Sequence, residues 1–198
     1  ESVVVAAGCY VQVASEELKK DASVDIVIGN NKKAELADIS LFDHVKFTAA
    51  VASCIYDYLN AGKKNCKDEL FTKEKEFYDR QAFLLCSLDI SGIQNFIYTI
   101  TSQNALRTLR ARSFYLEIMM EHIIDTLLEK LELSRANLLY SGGGHCYLLL
   151  ANTEDTLHKL EDWKKELKLW FLKHFQNELF VECGYVKCSC LLYTSDAA

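Results

Sequence analysis

Three features of this chain have residue types and spacing that could do chemistry: an aspartate closing an apolar run, a run of glycines between two apolar runs, and a cluster of arginines. Asp89 ends the run that begins at Phe83, and Ser91-Gly92 break it before Ile93, Phe96, Ile97 and Ile100 recur at helical spacing. Strand, acidic turn and helix follow one another. In open α/β sheets ligands gather at the carboxyl ends of strands. The first amides of a following helix suit a phosphate, and a carboxylate suits a divalent cation that would neutralise it. Asp89, Ile90, Ser91 and Gly92 are therefore candidate nucleotide contacts, with Asp89 the candidate metal ligand. The same residues also fit a plainer role, in which Asp89 caps the helix and Gly92 lets the chain turn.

The second feature is Ser141-Gly142-Gly143-Gly144-His145, flanked by Leu138-Leu139-Tyr140 and by Cys146-Tyr147-Leu148-Leu149-Leu150. This pattern predicts a β-hairpin with a glycine turn. Three adjacent glycines exceed what a turn requires and would let the backbone approach a ligand closely. Gly142, Gly143, Gly144 and His145 join the candidate nucleotide contacts. Arg107, Arg110 and Arg112 sit in the first turns of a long helical pattern, where they oppose the helix dipole. An anion such as a triphosphate or RNA would give them a purpose, and so would simple exposure to solvent. Asp43-His44, at the head of another helix, could ligate metal, or Asp43 could cap that helix. His158 and His174 have no ligand partners nearby and are read as ordinary surface or boundary residues.

The elements that must position these groups can be read from periodicity. An apolar helix runs from Phe47 to Leu59, and a Lys-, Glu- and Asp-rich stretch over 61–81 reads as a solvated connector. A long helix spans 105–132, with its apolar stripe through Leu109, Leu116, Met119 or Met120, Ile123, Leu127 and Leu131. A second amphipathic helix covers 154–178, and Phe180–Cys188 is a closing strand. The order β-α-α-β-β-α-β predicts an α+β fold, a ferredoxin-like palm with two helices on one face of a four-stranded antiparallel sheet.

That plan resembles the palm of nucleotide cyclases and polymerases. In the GGDEF cyclases the first-strand aspartate matches Asp89, and the Gly-Gly-acid-acid turn matches Gly142-Gly143-Gly144-His145. Gly144 and His145 replace the two acids, which removes a metal ligand from the hairpin. The chain resembles still more closely the large subunit of type III CRISPR effector complexes in its Csm form, over roughly Ile39 to Cys190. Asp89–Tyr98, Leu109–Leu116 and Tyr140–Leu150 match, in order, three motifs of that family's first palm.

The resemblance implies a subunit that makes cyclic oligoadenylates from ATP, with Mg or Mn, when its complex binds target RNA. Many members also cleave single-stranded DNA with an HD domain. It implies as partners the other complex subunits, with guide and target RNA reached through the complex. Its second palm carries the intact acidic hairpin, and the first palm supplies the opposing half of the ATP site. On that reading no catalytic residue lies in this chain, and the chain is inactive alone. Residues 40–81 would be the end of the HD region and a connector, with Asp43 and His44 as remnants of it, and 82–190 the palm. The open alternatives are an RNA-binding module of ferredoxin-like fold and a purely structural domain.

Residues 1–39 read as a separate βαβ fragment: strand Val3–Val5, turn Gly8-Cys9-Tyr10, helix Ser15–Lys20 and strand Val24–Ile28. They resemble the N-terminal domain of radical-SAM tRNA methylthiotransferases, where Cys9 would match one of three cluster-binding cysteines. Two families joined without a linker, followed by a tail at 191–198 that resembles adapter read-through, lead to the expectation of a chimeric fragment.

Composition sets outer bounds. The 198 residues are half hydrophobic and a quarter charged, which is ordinary for a globular protein. A net charge of −6 argues against a general nucleic-acid-coating protein. Eight scattered cysteines without a C-x-x-C pair suggest a reducing cytoplasm. There is neither a signal-peptide layout nor an apolar run of about 18 residues, so no membrane partner is expected.

Overall fold

The computed structural model describes residues 5–7, 26–28, 40–99 and 105–190. The chain divides into two compact units, Glu1–Thr48 and Ala49–Ala198. In the first, β1 (Val5–Ala7) pairs in parallel with β2 (Ile26–Ile28), with Val5 opposite Ile26 and Ala7 opposite Ile28. Parallel pairing is what a βαβ connection requires. The predicted turn at Gly8–Tyr10, the helix Ser15–Lys20, residues 3–4 and 24–25 of the two predicted strands, and the tail after residue 190 lie outside the described residues.

Helix α1 (Leu41–Ala61) begins in this unit. Ser40 is its cap, correcting the expectation for Asp43: the Ser40 Oγ accepts from the Asp43 amide at 3.1 Å and donates to the Asp43 carboxylate at 2.6 Å.

In the second unit the stretch expected to be a solvated connector is structured. A single π-turn (Asp68–Thr72) leads into α2 (Glu74–Asp79). Phe77 is buried, Leu70 packs against the same apolar cluster, and the Glu69 carboxylate is held by Lys73 at 3.2 Å and by Arg80. The charge-rich composition hid these apolar anchors, because each stands alone among lysines and acids.

The palm follows: β3 (Phe83–Ser91), α3 (Ile93–Tyr98), α4 (Ala105–Lys130), β4 (Leu138–Gly142), β5 (His145–Ala151), α5 (Glu154–Phe175) and β6 (Phe180–Cys188). The sheet order is β4-β5-β3-β6, and each neighbouring pair is antiparallel. This is the ferredoxin-like α+β arrangement that the element order predicts.

Strand residues alternate between faces. Leu84, Cys86, Leu88 and Ile90 of β3, with Cys146, Leu148 and Leu150 of β5, meet Leu116, Met119, Ile123, Ile124 and Leu127 of α4 and Leu160, Trp163 and Phe171 of α5. Helix α5 starts at a Thr153 cap, whose Oγ1 accepts from the Thr156 amide at 3.1 Å.

The opposite face carries a second apolar cluster, which helical periodicity did not predict. From Ala50 onward α1 lies on it: Ala50, Cys54 and Leu59 pack with Phe83, Leu149, Ala151 and Cys188. Asn137, fully buried, fastens this layer. Its Nδ2 donates to the Leu149 carbonyl at 3.0 Å and to Ser53 Oγ at 3.1 Å. Burial there also pushes the Cys54 thiol up to about 12. Nearer the β4–β5 turn, Tyr140 and Tyr147 of this face are exposed.

Candidate functional site

The β-ladders bring the sequence-predicted residues to one end of the sheet. At a single level, Gly142 of β4 pairs with His145 of β5, His145 with Asp89 of β3, and Asp89 with Glu182 of β6. Asp89, His145 and Glu182 occupy the open face, because they share the parity of Ser87, Tyr147 and Gly184. The His145 Nδ1 lies 3.4 Å from Asp89 Oδ1, and Ser91 Oγ approaches the other carboxylate oxygen at 3.3 Å.

Glu182 is a second acid at this end of the sheet, one the sequence analysis did not place. It could not be found from local spacing, because it lies 93 positions along the chain from its ladder partner. Ile90, by contrast, points its side chain into the helix-side core and is 3% exposed. Its amide donates to the Gly144 carbonyl at 2.8 Å, which closes the hairpin onto β3.

The glycines divide by what surrounds them. Gly143 and Gly144 form a two-residue turn with φ of +63° and +85°, the left-handed backbone that tight hairpins favour. A Cβ on Gly144 would stand 2.3 Å from Ile93 Cδ1, and one on Gly142 would stand 2.8 Å from the Tyr140 hydroxyl. A Cβ on Gly92, at φ +91°, would stand 2.0 Å from the Glu178 carbonyl oxygen. Packing against backbone accounts for Gly92, whereas Gly142 and Gly144 meet only the ends of side chains, and the positive φ of Gly144 is what the turn itself asks of it. Gly143 is different: nothing lies within 4 Å of where its Cβ would be.

Beside this turn stand two tyrosine rings that sequence reasoning passed over, next to the predicted His145. Tyr140 and Tyr147 have ring centroids 6.4 Å apart, and the His145 ring stands edge-on to Tyr147 at 4.6 Å. The period-two alternation of Tyr147 with buried Cys146 and Leu148 was the available signal.

The three arginines do not act as one cluster. The Arg112 guanidinium donates to the carbonyls of Phe96 and of Thr99, the latter at 2.9 Å, so it ties down the C-terminal end of α3. It also lies over the Phe96 ring at 5.3 Å. Arg107 lines an open groove of about 440 Å³ between α3 and α4, with Phe96, Thr108, Ala111, Arg112 and Tyr115. Arg110 is exposed on α4.

The donor set here does not make a divalent-cation site by itself. Hard cations take several oxygen ligands, whereas Asp89 is shared with an imidazole. Among the described residues no group of three or more His, Cys, Asp or Glu could hold a metal ion, and that includes the surroundings of Asp43 and His44. Nor is any described helix long and apolar enough to cross a membrane.

Comparison with known proteins agrees with this geometry. The chain is 50% identical over 167 residues to the CRISPR system single-strand-specific deoxyribonuclease Cas10/Csm1 (subtype III-A) of Mycobacterium tuberculosis, covering 84% of this chain and 21% of that protein. It is 53% identical over 161 residues to the protein of the same description from Enterococcus italicus, covering 78% and 21%. Solved structures of a Csm1–Csm4 cassette in complex with pppApA, with AMPPNP and with one ATP superpose with TM-scores of 0.66, 0.65 and 0.65. Their identities are 31%, 34% and 31%, and each match covers 77% of this chain and 20% of that one. The chain thus spans about a fifth of the length of these relatives.

A stretch of 39 residues, 20% of the chain, is 51% identical to the threonylcarbamoyladenosine tRNA methylthiotransferase MtaB of Aquifex aeolicus, of which it covers 10%. The family model for the Csm1 subunit domain B matches residues 82–193, the whole of the palm with its aspartate and its glycine hairpin. By that match, and by the sheet order that carries it, the chain belongs to the family of the Csm1 subunit domain B.

Proposed function

We propose that this chain is the first palm of a type III-A CRISPR effector large subunit and forms one half of an adenine-nucleotide site, without carrying out catalysis itself. The observation that carries this reading is Gly143. No protein atom lies within 4 Å of where its Cβ would be, and it belongs to the turn that leads into His145, whose ring meets Asp89. Support also comes from the solved relatives, which were captured with ATP, AMPPNP and pppApA.

On this reading the intact subunit makes cyclic oligoadenylates from ATP when its complex engages target RNA through the guide RNA, in antiviral defence, and cleavage of single-stranded DNA belongs to a separate domain. Phosphoryl transfer of this kind needs carboxylates around its metal ions. The pairing of Asp89 with His145 leaves that chemistry, and the Mg or Mn that serves it, to carboxylates outside this chain. What the residues here contribute is a close backbone approach at Gly143 and polar groups along the end of β3.

The test is an equilibrium titration of the full chain with ATP, before and after Gly143→Ala. The methyl meets no protein atom, so its structural cost is the left-handed backbone alone, about 1 kcal/mol. The expected result is ATP binding that the substitution weakens while the fold persists by circular dichroism. Unchanged affinity would remove the hairpin from the site and favour a palm kept for folding, a reading that already accounts for Gly92 and Gly144.

A further inference from the structure

We infer that Cys86 and Cys183 form a peroxide-responsive thiol pair, in which Cys183 is the thiol that peroxide oxidises and Cys86 the thiol that resolves it into a disulfide. The inference is independent of the nucleotide-site reading above.

The sheet sets the pair. Cys86 sits on the inner strand β3 and Cys183 on the edge strand β6, with their Sγ atoms 3.8 Å apart. Cys86 is the ladder partner of Tyr185, and Leu88 that of Cys183. The two thiols therefore meet along a diagonal, on the face that α4 and α5 cover. Both are free thiols in this structure.

Their surroundings give them different tasks. Cys86 is fully buried, and Cys183 is half-buried at the margin of the same core. Of the two, only Cys183 meets solvent. Lys164 of α5 reaches this side of β6, where its Nζ lies over the Tyr185 ring at 5.9 Å and 3.1 Å from Glu161. A hydrogen bond from the Cys86 thiol, helped by the Lys164 charge, holds the Cys183 thiol below its ordinary 9.0, against its burial and the charges of Glu161 and Glu182. The same hydrogen bond, with burial second, keeps the proton on Cys86. An accessible thiolate beside a resolving thiol is the arrangement that reacts reversibly with peroxide.

The chemistry balances. The Cys183 thiolate attacks one oxygen of hydrogen peroxide and breaks the O–O bond. It becomes a sulfenic acid, and the departing hydroxide takes up a proton as water. The Cys86 sulfur then attacks the sulfenic sulfur, gives up its thiol proton and displaces the hydroxyl as a second water. The two thiols lose two electrons, and one peroxide becomes two waters.

Diagonal positions on neighbouring strands stand about 7–8 Å apart, at the outer limit for a disulfide without backbone movement. Strand β6 can supply that movement, because it has a neighbour on one side only. A bond formed across such a spacing is easily reduced, which suits a reversible link. It would pin β6 to β3 one residue from Glu182.

The experiment treats the full chain with hydrogen peroxide, quenches in acid, alkylates the remaining thiols and maps the peptides by mass spectrometry without reduction. The expected result is a Cys86–Cys183 linked peptide that dithiothreitol removes. Cys86→Ala, with its fold checked by circular dichroism, should lose the link and leave on Cys183 a sulfenic acid that dimedone traps. Cys183→Ser should abolish both products. If peroxide takes Cys183 to the sulfinic acid while Cys86 stays a free thiol, or links Cys183 to Cys146, the pairing is wrong. If Cys183 stays reduced while other cysteines of the chain react, the site itself is wrong. Neither outcome depends on whether the chain binds a nucleotide.

Discussion

Asp89 faces His145 across the β3–β5 ladder, with Oδ1 and Nδ1 3.4 Å apart. The carboxylate that a cyclase-like palm would offer to a metal here has an imidazole for a neighbour on one side and Glu182 on the other. The chain alone, incubated with ATP and Mg²⁺ or Mn²⁺, is therefore expected to make no cyclic oligoadenylate. Chromatography of the reaction checks this. A cyclic product that persists in Asp89→Ala would show that the assignment of this end of the sheet is wrong.

Gly92 and Gly184 should respond oppositely to alanine. At Gly92 the methyl would meet the backbone carbonyl of Glu178 at 2.0 Å, and φ is already +91°. Backbone cannot move aside as a flexible side chain can, so Gly92→Ala is expected to cost about 2 kcal/mol or more. Gly184 lies in β6 with open space around it. There alanine should stabilise by about 0.5 kcal/mol, through lost freedom of the unfolded chain. Urea midpoints of the two variants provide the comparison.

Asn137 joins the α1 layer to the sheet through hydrogen bonds that leave its buried amide satisfied. Asn137→Leu removes the donor to the Leu149 carbonyl and sets an apolar group against Ser53. A loss of about 1–3 kcal/mol is expected, read as a lower urea midpoint with an unchanged slope. A variant as stable as the parent would mean that the latch contributes nothing.

The Glu69 carboxyl is held below its ordinary value of 4.5, first by the Arg80 hydrogen bond and then by Lys73. A folded-state value below the unfolded one stabilises the protein above the unfolded pKa, and that contribution is lost as pH falls through the depressed folded value. The parent should therefore exceed Glu69→Gln in stability at pH 7, and the gap should narrow as pH falls past the ordinary carboxylate value and through the lowered folded one. Thermal midpoints of the two proteins across that range test the sign.

The order of elements could be read from the sequence because it rests on local repeats. Short apolar runs marked β3 and β5, a 3.6-residue stripe marked α4 and α5, and adjacent glycines marked the turn between β4 and β5. Asp89 and Gly142–Gly144 stood out for the same reason, since their chemistry contrasts with the apolar residues immediately around them.

What a residue faces is set instead by ladder register and layer packing, which join positions far apart in the chain. Only the fold sets Glu182 beside Asp89, gives Arg112 to the carbonyls of α3 and lays α1 on the second face of the sheet. It also separates glycines that look alike in the sequence. Gly144 lies against Ile93 and Gly92 against Glu178, but Gly143 faces open space, because a side chain's room depends on its neighbours in three dimensions and not on its neighbours in the chain.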